Sequence, residues 1–248
     1  MHPTVNIAVR AARAAGDVVL RYHNQIDLLT IENKSINDFV SEVDKTAEKA
    51  IINEIKKVFP NHSILAEESG EILGDSYFQW IIDPLDGTTN YLHGFPQYAV
   101  SIALLEKQVV THAVIYDPFK EELFNASKGE GAYLNNERMR VTSSNGLQDT
   151  LIGTGFPFRH PEHLDCYLKT FKAIHPHVSG IRRAGSAALD LAYLAAGALL
   201  VKEAGGFIGD FSGRDQYLET GNVVAGNADV YKILLKTIHP HLSDELQR

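Results

Sequence analysis

Two aspartates stand three positions apart in the stretch WIIDPLDGTTNYLHG, residues 80–94. Hard divalent cations such as Mg2+ prefer oxygen ligands, and a few carboxylates plus the oxygens of a phosphorylated substrate suffice to hold one. Pro84 fixes one backbone dihedral and lacks an N–H, so it stiffens the turn between Asp83 and Asp86. The two carboxylates and the Leu85 carbonyl can then face one point, which predicts a site for a metal ion.

A second acidic pair precedes this stretch, because HSILAEES and YFQWIIDP are both short apolar runs that end in acidic residues. Such runs predict buried strands with polar tips, and ligands bind at the tips of strands in layered sheets. Glu67, Glu68, Asp83 and Asp86 are therefore expected near one sheet edge. Gly87 permits close backbone approach, and a helix that starts just after it would direct free N–H groups at a phosphate.

The same letters also fit a surface turn, since Asp-rich turns often cap helices. An isolated D-x-x-D-G would favour that interpretation. The acidic pair on the preceding strand and the Thr88-Thr89 pair after the turn favour the metal and phosphate site instead.

The elements that must position these residues follow from hydrophobic periodicity. Apolar residues at helical spacing predict helices over 4–22, 41–58, 164–174 and 228–237, and one continuous helix from Ala187 to Ala204. The runs YAVSIALLE, QVVTHAVIYDP and EELFNAS predict three paired strands, and TLIGTGF, FIGDFSG and NVVAGN predict short strands. Helices and strands in alternating blocks indicate an α/β or α+β layered fold.

Composition and charge argue against several classes of protein. The net charge of −8 disfavours a general or sequence-specific nucleic-acid binder, although a cation can still recruit an anionic substrate. The single cysteine, Cys166, allows no disulfide within the chain, which fits a reducing cytoplasm. No run reaches the ~18 apolar residues that a membrane span needs.

Three motifs resemble one known family. The segments AEESG, WIIDPLDGTTNY and GSAALDLAYLAAG closely resemble those of the inositol monophosphatases, in a superfamily of Mg2+-dependent, lithium-sensitive phosphatases. The D-P-x-D-G-T-T motif is highly specific, and the likeness runs over nearly the whole chain. It implies a layered α-β-α-β-α sandwich that is usually a dimer. The opening MHPTVNIAVRAAR and the segment RRAGSAALDLAY look most like the proteobacterial branch, some members of which also bind transcription antitermination machinery.

The resemblance also implies roles for individual residues. The metal ligands would be Glu68, Asp83, Asp86 and the Leu85 carbonyl. The catalytic group would be Glu68, which holds the attacking water, with Thr88 and Asp44 in a hydrogen-bonded relay that activates it. The residues that contact substrate would be Glu68, Asp86, Gly87, Thr88, Thr89, Arg182, Gly185, Ser186 and Ala187. Helix capping alone is an open alternative for Asp44, and Asp190 is expected to be a helix-packing or interface residue.

The chain departs from the family pattern after Gly197. Family members carry a further strand, a glutamate that contacts the sugar alcohol, and a Trp-Asp pair whose aspartate completes the second metal site. Here Gly197 runs directly into ALLVKEAGG, and Trp80 is the only tryptophan. About 15–20 residues are missing, the size of one strand and its connection.

Three explanations stay open for this departure. A genuine deletion would give a weak or inactive enzyme, and the neighbouring sheet would have to close without its strand. A sequence that has lost an internal segment would belong to an ordinary enzyme. A binding protein on a phosphatase scaffold would need no second metal.

We predict one domain over 1–248, with a metal and phosphate half (1–145) and an alcohol half (146–248). The predicted function is Mg2+-dependent hydrolysis of inositol monophosphate, or a similar small sugar-alcohol phosphate, by metal-activated water. The alternatives are a weakened or inactive regulatory protein that binds antitermination factors or RNA polymerase, and a phosphatase for other small phosphates such as fructose bisphosphate. A cytoplasmic homodimer is expected.

Overall fold

An eight-stranded mixed sheet forms the centre of the molecule. The structure is a computed structural model that describes residues 2–23, 31–35, 38–143, 145–158, 160–193 and 197–246. The strands are β1 (Ile31–Ser35), β2 (Asp38–Ser41), β3 (His62–Ala66), β4 (Gly70–Ile72), β5 (Asp75–Asp86), β6 (Ala99–Glu106), β7 (Val109–Asp117), β8 (Glu122–Ser127), β9 (Gly131–Leu134), β10 (Glu137–Arg138), β11 (Leu151–Gly153), β12 (Gly180–Arg182), β13 (Phe207–Gly209) and β14 (Val224–Gly226). The helices are α1 (Pro3–His23), α2 (Glu42–Val58), α3 (Thr88–Leu92), α4 (Leu164–Ile174), α5 (Ala187–Tyr193), α6 (Gly197–Glu203), α7 (Tyr217–Thr220) and α8 (Ala228–Ile238).

The central sheet has the strand order β10-β9-β8-β7-β6-β5-β3-β4. β3 and β5 are parallel, while the pairs from β5 through β10 are antiparallel. The antiparallel part arises from short connections between consecutive strands, which the three predicted strand runs anticipated. The acidic residues that follow β3 and end β5 therefore meet at the same end of a parallel pair.

Helices α1 and α2 cover one face of this sheet. Their apolar residues recur every three or four positions, so each helix has one buried stripe. The fully buried members are Val5, Ala11, Ala12, Ala15, Val19, Val43, Ala47, Ile51 and Ile55, which pack with Trp80 and Val114 of the sheet. The predicted helices over 4–22 and 41–58 are confirmed to within one residue at each end.

The opposite face of the sheet is covered by α5 and α6. Strand residues alternate between the two faces, so Val114 packs under α1 and α2 while its neighbours Ala113 and Ile115 pack against Leu189 and Leu200. The predicted continuous helix from Ala187 to Ala204 corresponds to these two helices. Residues 194–196 between them lie outside the described residues, so the continuity stays a prediction.

A second layer of strands lies beyond α6, with α4 and α8 outside it. Val201 of α6 packs with Ile208 of β13, and the α8 residues Val230 and Leu234 pack with Val224 of β14. The order is helices, large sheet, helices, small strands, helices. This mixed α/β architecture confirms the predicted fold class.

The small strands do not form one continuous sheet in the described residues. β11 and β12 are a parallel pair, and β13 and β14 are a separate antiparallel pair. The sequence predicts a flanking sheet that has to close without one strand. The structure instead has the two separate pairs β11-β12 and β13-β14. No helix of the described residues is both long and apolar enough to cross a membrane.

Candidate metal and phosphate site

A β-bulge places Asp83 and Asp86 on the same face of β5. Asp83 pairs with Ser101 and Asp86 with Ala99, so three steps along β5 match two steps along β6. Residues three apart in a regular strand face opposite sides, and the one extra residue of the bulge restores the same side. Pro84 fits a bulge because it lacks an N–H. The Leu85 N–H donates to Asp83 Oδ1 at 3.1 Å, which holds the turn.

Glu67, and not Glu68, occupies the position beside Asp83. Ala66 pairs with Ile82 in the parallel ladder, and the Glu67 N–H continues that ladder by donating to the Ile82 carbonyl at 3.1 Å. Neighbours in register share a face, whereas the next residue along a strand faces the other way. This register favours Glu67 over Glu68 as the glutamate that faces Asp83.

A buried glutamate of α2 holds the chain where β3 ends. Glu48 is 2% exposed, and its carboxylate accepts the N–H of Glu68 at 2.7 Å and that of Ser69 at 3.0 Å. These two bonds fix the backbone on which Glu67 is presented. The Glu48 carboxylate is therefore structural, because it holds the backbone of the acidic tip AEES. The Glu67 carboxylate instead faces the site.

Burial and neighbouring acidic groups raise the pKa of Asp83 and of Asp86. Burial, then the charge of Asp86, then the charge and hydrogen bond of Glu67 hold the pKa of Asp83 well above its usual range. Burial also raises the pKa of Asp86, with a further contribution from Glu67, although hydrogen bonds from Ser186 and the backbone of α5 act in the opposite direction. Like charges in a desolvated pocket are costly, so such a pocket is suited to a bound cation.

Asp86 is anchored by residues one hundred positions further along the chain. Ser186 Oγ donates to Asp86 Oδ2 at 2.5 Å, and the Ala188 N–H donates to the same oxygen at 2.7 Å. Ser186 is fully buried, and its hydroxyl also accepts the Leu189 N–H at 3.3 Å at the start of α5. One oxygen of Asp86 is therefore satisfied by the protein, and Ser186 acts as its positioning residue.

Thr88 and Asp44 are in contact, as the resemblance implied. Thr88 Oγ1 lies 3.2 Å from Asp44 Oδ1 and 3.0 Å from the Leu85 carbonyl oxygen, both as donor. A hydroxyl has one hydrogen, so it serves one of these acceptors at a time. Asp44 lies in the first turn of α2 and is 2% exposed. Helix capping alone does not account for its contact with Thr88.

A left-handed glycine starts the short helix α3. Gly87 has φ of +97°, and a Cβ there would lie 2.8 Å from the Gln97 carbonyl oxygen. Thr88 and Thr89 follow as its first residues, as the predicted phosphate-binding turn requires. Sequence reasoning missed Asn90 at the end of this motif. Its Nδ2 donates to the carbonyls of Gln97 at 2.7 Å and Ala184 at 2.9 Å, which ties α3 to the segment before α5.

The residues expected on the alcohol side divide into two groups. Gly185 and Ser186 lie next to Asn90 and Asp86, and Ala187 begins α5. Arg182 ends β12, is exposed, and donates to the Ile181 carbonyl at 3.2 Å. None of its described hydrogen bonds reaches the carboxylates.

Asp190 lies closer to this site than the sequence analysis expected. Its N–H donates to the Ser186 carbonyl, one helical turn back, so it lies on the side of α5 that meets Asp86. Its carboxyl carbon would be 3.6 Å from a Cβ placed on Gly153. Burial and the charge of Asp86 raise the pKa of Asp190 to about 6, while Arg183 acts in the opposite direction. A purely packing role does not explain that charge environment.

Carboxylates at the ends of two parallel strands and a threonine at a helix start, on a layered α/β scaffold, offer the donors that a divalent cation and a phosphate require. Residues 1–199 match the inositol monophosphatase family. The chain belongs to that family, which is generally Mg2+-dependent.

Two kinds of relative support this membership. The Nus factor SuhB of Pseudomonas aeruginosa is 46% identical, with all of both chains covered. The extragenic suppressor protein SuhB from Bartonella henselae has a TM-score of 0.93 at 41% identity and covers 96% of this chain and 98% of its own. An inositol monophosphatase from Anabaena has a TM-score of 0.83 at 35% identity, with 95% and 94% covered.

These comparisons also bear on the missing segment. The alignment with the Pseudomonas relative spans 271 residues while this chain has 248, so about 23 positions (271 less 248) hold no residue of this chain. The family match ends at residue 199, two positions past Gly197. Both observations agree with a segment missing near that glycine.

Proposed function

We propose that this chain hydrolyses inositol monophosphate, or a closely similar sugar-alcohol phosphate, with Mg2+ as its cofactor. The observation that carries the proposal is the strand register and bulge that bring Glu67, Asp83 and Asp86 to one end of the β3–β5 pair, beside the Thr88–Asp44 pair. Membership of the phosphatase family supports the reaction class.

The donor set fits a hard divalent cation. Asp83, Asp86, Glu67 and the Leu85 carbonyl would hold it, because all are oxygen donors, and burial together with neighbouring acidic groups raises the pKa of Asp83 and Asp86. In the described residues these carboxylates are not gathered within 4.8 Å of one another, so binding requires their side chains to converge. A bound cation of this class lowers the pKa of a water molecule and offsets the negative charge of phosphate.

The chain's own residues then orient the reactants. When Thr88 donates to Asp44, its oxygen can accept a hydrogen bond from the attacking water and pass a proton toward the buried carboxylate. The N–H groups at the start of α3, from Gly87 to Thr89, face the phosphate in this proposal. Glu67 takes the water-holding role that the sequence analysis gave to Glu68.

The alcohol side is proposed to lie along the start of α5. Gly185 and Ala187 offer backbone groups there, while the Ser186 hydroxyl is committed to Asp86. Arg182 is a proposed contact for the sugar alcohol. The usual glutamate of the missing segment is not available, which predicts a wide and less selective alcohol pocket.

The second candidate function is regulatory binding on the same scaffold. Two observations favour it, the relatives named Nus factor SuhB and the shortened second half of the chain. The partners in that case would be transcription antitermination factors or RNA polymerase. A cytoplasmic homodimer remains part of both proposals.

One experiment separates these functions. Phosphate release from inositol 1-phosphate is measured with and without Mg2+ for the native chain, Asp83→Asn and the exposed control Asp149→Asn. The phosphatase proposal expects Mg2+-dependent turnover that falls at least about a hundredfold in Asp83→Asn and is unchanged in the control, since an essential ligand is worth several kcal/mol. Equal turnover in Asp83→Asn would refute the assignment.

The regulatory candidate is tested with the same variants. Capture of purified RNA polymerase and antitermination factors by both the native chain and Asp83→Asn, without measurable phosphate release, would favour binding. Failure of both proteins to capture these partners would remove this candidate.

A further inference from the structure

Three metal-binding side chains cluster at the start of α4, away from the carboxylate pocket. His160, Glu162 and His163 each offer one ligand atom, and these atoms all lie within 4.8 Å of one another. Among the residues that the structure describes, this is the one group of three histidine, cysteine or acidic residues that meets that distance. His160 and Glu162 are exposed, and His163 is half-buried.

The local backbone explains why these side chains meet. Residues Pro161–His163 form a 3-10 helix that leads into α4, and His160 is its N-cap. With three residues per turn, side chains at positions i and i+3 eclipse, so both imidazoles lie on the same side. Their ring centroids are 5.8 Å apart, and His160 Nδ1 lies 3.1 Å from Glu162 Oε1. Pro161 restricts the turn further, because its φ is fixed.

The chemistry of this set differs from that of the carboxylate pocket. Two imidazole nitrogens and one carboxylate oxygen suit Zn2+ and neighbouring transition metals, whereas Mg2+ prefers oxygen ligands alone. We propose that His160, Glu162 and His163 form a binding site for a transition-metal ion of the Zn2+ class. Three protein ligands leave a fourth coordination position on the ion, which a water molecule or a donor from a neighbouring segment of the chain would fill.

The surroundings of the cluster can supply that donor. His160 and His163 line a groove together with Asp210, Asn222 and Glu245. Asp210 is engaged, since its carboxylate accepts the N–H groups of Ser212 and Arg214 and the Arg214 Nε–H. Glu245 is therefore the carboxylate proposed to complete the set.

The position of the groove suggests what such an ion would do. Its walls come from the start of α4, from the loop that follows β13, from the end of α7 and from the segment after α8. An ion held there would join them in a part of the fold that lacks a continuous sheet.

The test measures Zn2+ affinity of the full chain by competition with a chromogenic chelator, with excess Mg2+ present to fill the carboxylate pocket. We expect one tight Zn2+ per chain in the native protein and in Asp83→Asn. In the double variant His160→Ala/His163→Ala, affinity should fall by more than the roughly 10–100-fold that loss of an outer-shell partner costs. Because these side chains are largely exposed, circular dichroism is expected to show an unchanged fold.

The chain offers a matched control for surface histidines. His175 and His177 also flank a proline in a 3-10 helix, so His175→Ala/His177→Ala removes two imidazoles from similar backbone. This control should bind Zn2+ as the native chain does. The proposal would be overturned if the His160/His163 double variant bound Zn2+ as tightly as the native chain, or if both double variants lost equal affinity. Either result would mean that Zn2+ binds only adventitiously at the surface. Unchanged affinity in Glu162→Gln would overturn the three-ligand assignment.

Discussion

Glu67 and Asp83 lie side by side on neighbouring parallel strands, and their carboxyl groups share a hydrogen bond. The register that follows Ala66 and Ile82 creates this pair, and the bulge at Pro84 adds Asp86 to the same face. Burial and repulsion from Asp86 and Glu67 therefore act together on Asp83. A cation is the simplest way to relieve that repulsion, which connects the backbone register to the proposed chemistry.

The first prediction compares the two adjacent glutamates. Glu67→Gln should reduce Mg2+-dependent phosphate release by at least about a hundredfold, because it removes a proposed ligand. Glu68→Gln should keep most activity, because the strand register turns this side chain to the other face and the backbone bond to Glu48 is kept. Steady-state kinetics across Mg2+ concentrations measures both. The reverse order of effects would return the role to Glu68.

These two glutamates also show what the sequence could and could not predict. The run HSILAEES correctly predicted a strand with an acidic tip, and the motif that follows predicted that Asp83 and Asp86 would converge. Which glutamate faces them depends on the register between two strands, and periodicity within one strand does not determine it. Local patterns also do not predict that the Glu48 carboxylate of α2 accepts the N–H of Glu68, twenty positions later in the chain.

The second half of the chain shows a different limit. The helices over 164–174 and 228–237 were predictable because their apolar residues repeat at helical spacing, and both are observed within one residue. The pairing of four short strands into two separate sheets was not predictable in detail, since three-residue strands carry little periodicity. Asp190 is predicted to be a packing or interface residue from its place in the stretch ALDLAY, and its charge interaction with Asp86, far away in sequence, leaves no local pattern.

The second prediction concerns the hydroxyl that anchors Asp86. Ser186→Ala removes a 2.5 Å hydrogen bond to a buried carboxylate and should lower the free energy of unfolding by about 1–3 kcal/mol. It should also raise the pKa of Asp86, because that hydrogen bond lowers it in the native chain. Higher pH would then be needed for full Mg2+-dependent activity. Urea unfolding and a pH–rate profile measure the two effects.

A matched control exists for this hydroxyl. Ser179 is exposed and donates to the Gln148 carbonyl at 2.6 Å, so Ser179→Ala tests the loss of an ordinary serine hydrogen bond. It should change neither the pH profile nor the Mg2+ requirement. Identical pH profiles for the native chain and Ser186→Ala would show that Ser186 does not tune Asp86.

The third prediction concerns Asp190 in the metal-free protein. Its pKa is raised from 3.8 to about 6 in the folded chain, so the folded state keeps a proton that the unfolded state has lost. The contribution of Asp190 to stability is thus full below about pH 4, decreases as the pH rises, and is lost above about pH 6. Asp190→Asn cannot ionise and should escape this loss.

The measurement is the difference in unfolding free energy between Asp190→Asn and the native chain, from urea titrations with a chelator at several pH values. That difference should move in favour of the variant between about pH 4 and 6 and then stay constant. A flat difference for Asp190→Asn would mean that neither burial nor the charge of Asp86 raises the pKa of this carboxyl.

The last prediction separates two effects of a left-handed glycine. Gly87 and Gly94 both have positive φ, +97° and +69°, but only at Gly87 would a Cβ meet backbone, the Gln97 carbonyl oxygen at 2.8 Å. Gly94→Ala should therefore cost about 1–2 kcal/mol of stability from conformation alone. Gly87→Ala should cost more, at least about 3 kcal/mol, because the backbone must also shift.

That shift would displace Thr88 from Asp44, so activity should fall in Gly87→Ala and persist in Gly94→Ala. Chemical denaturation combined with the phosphate-release assay tests both points, and equal stability losses in the two variants would show that the Gln97 segment yields without cost.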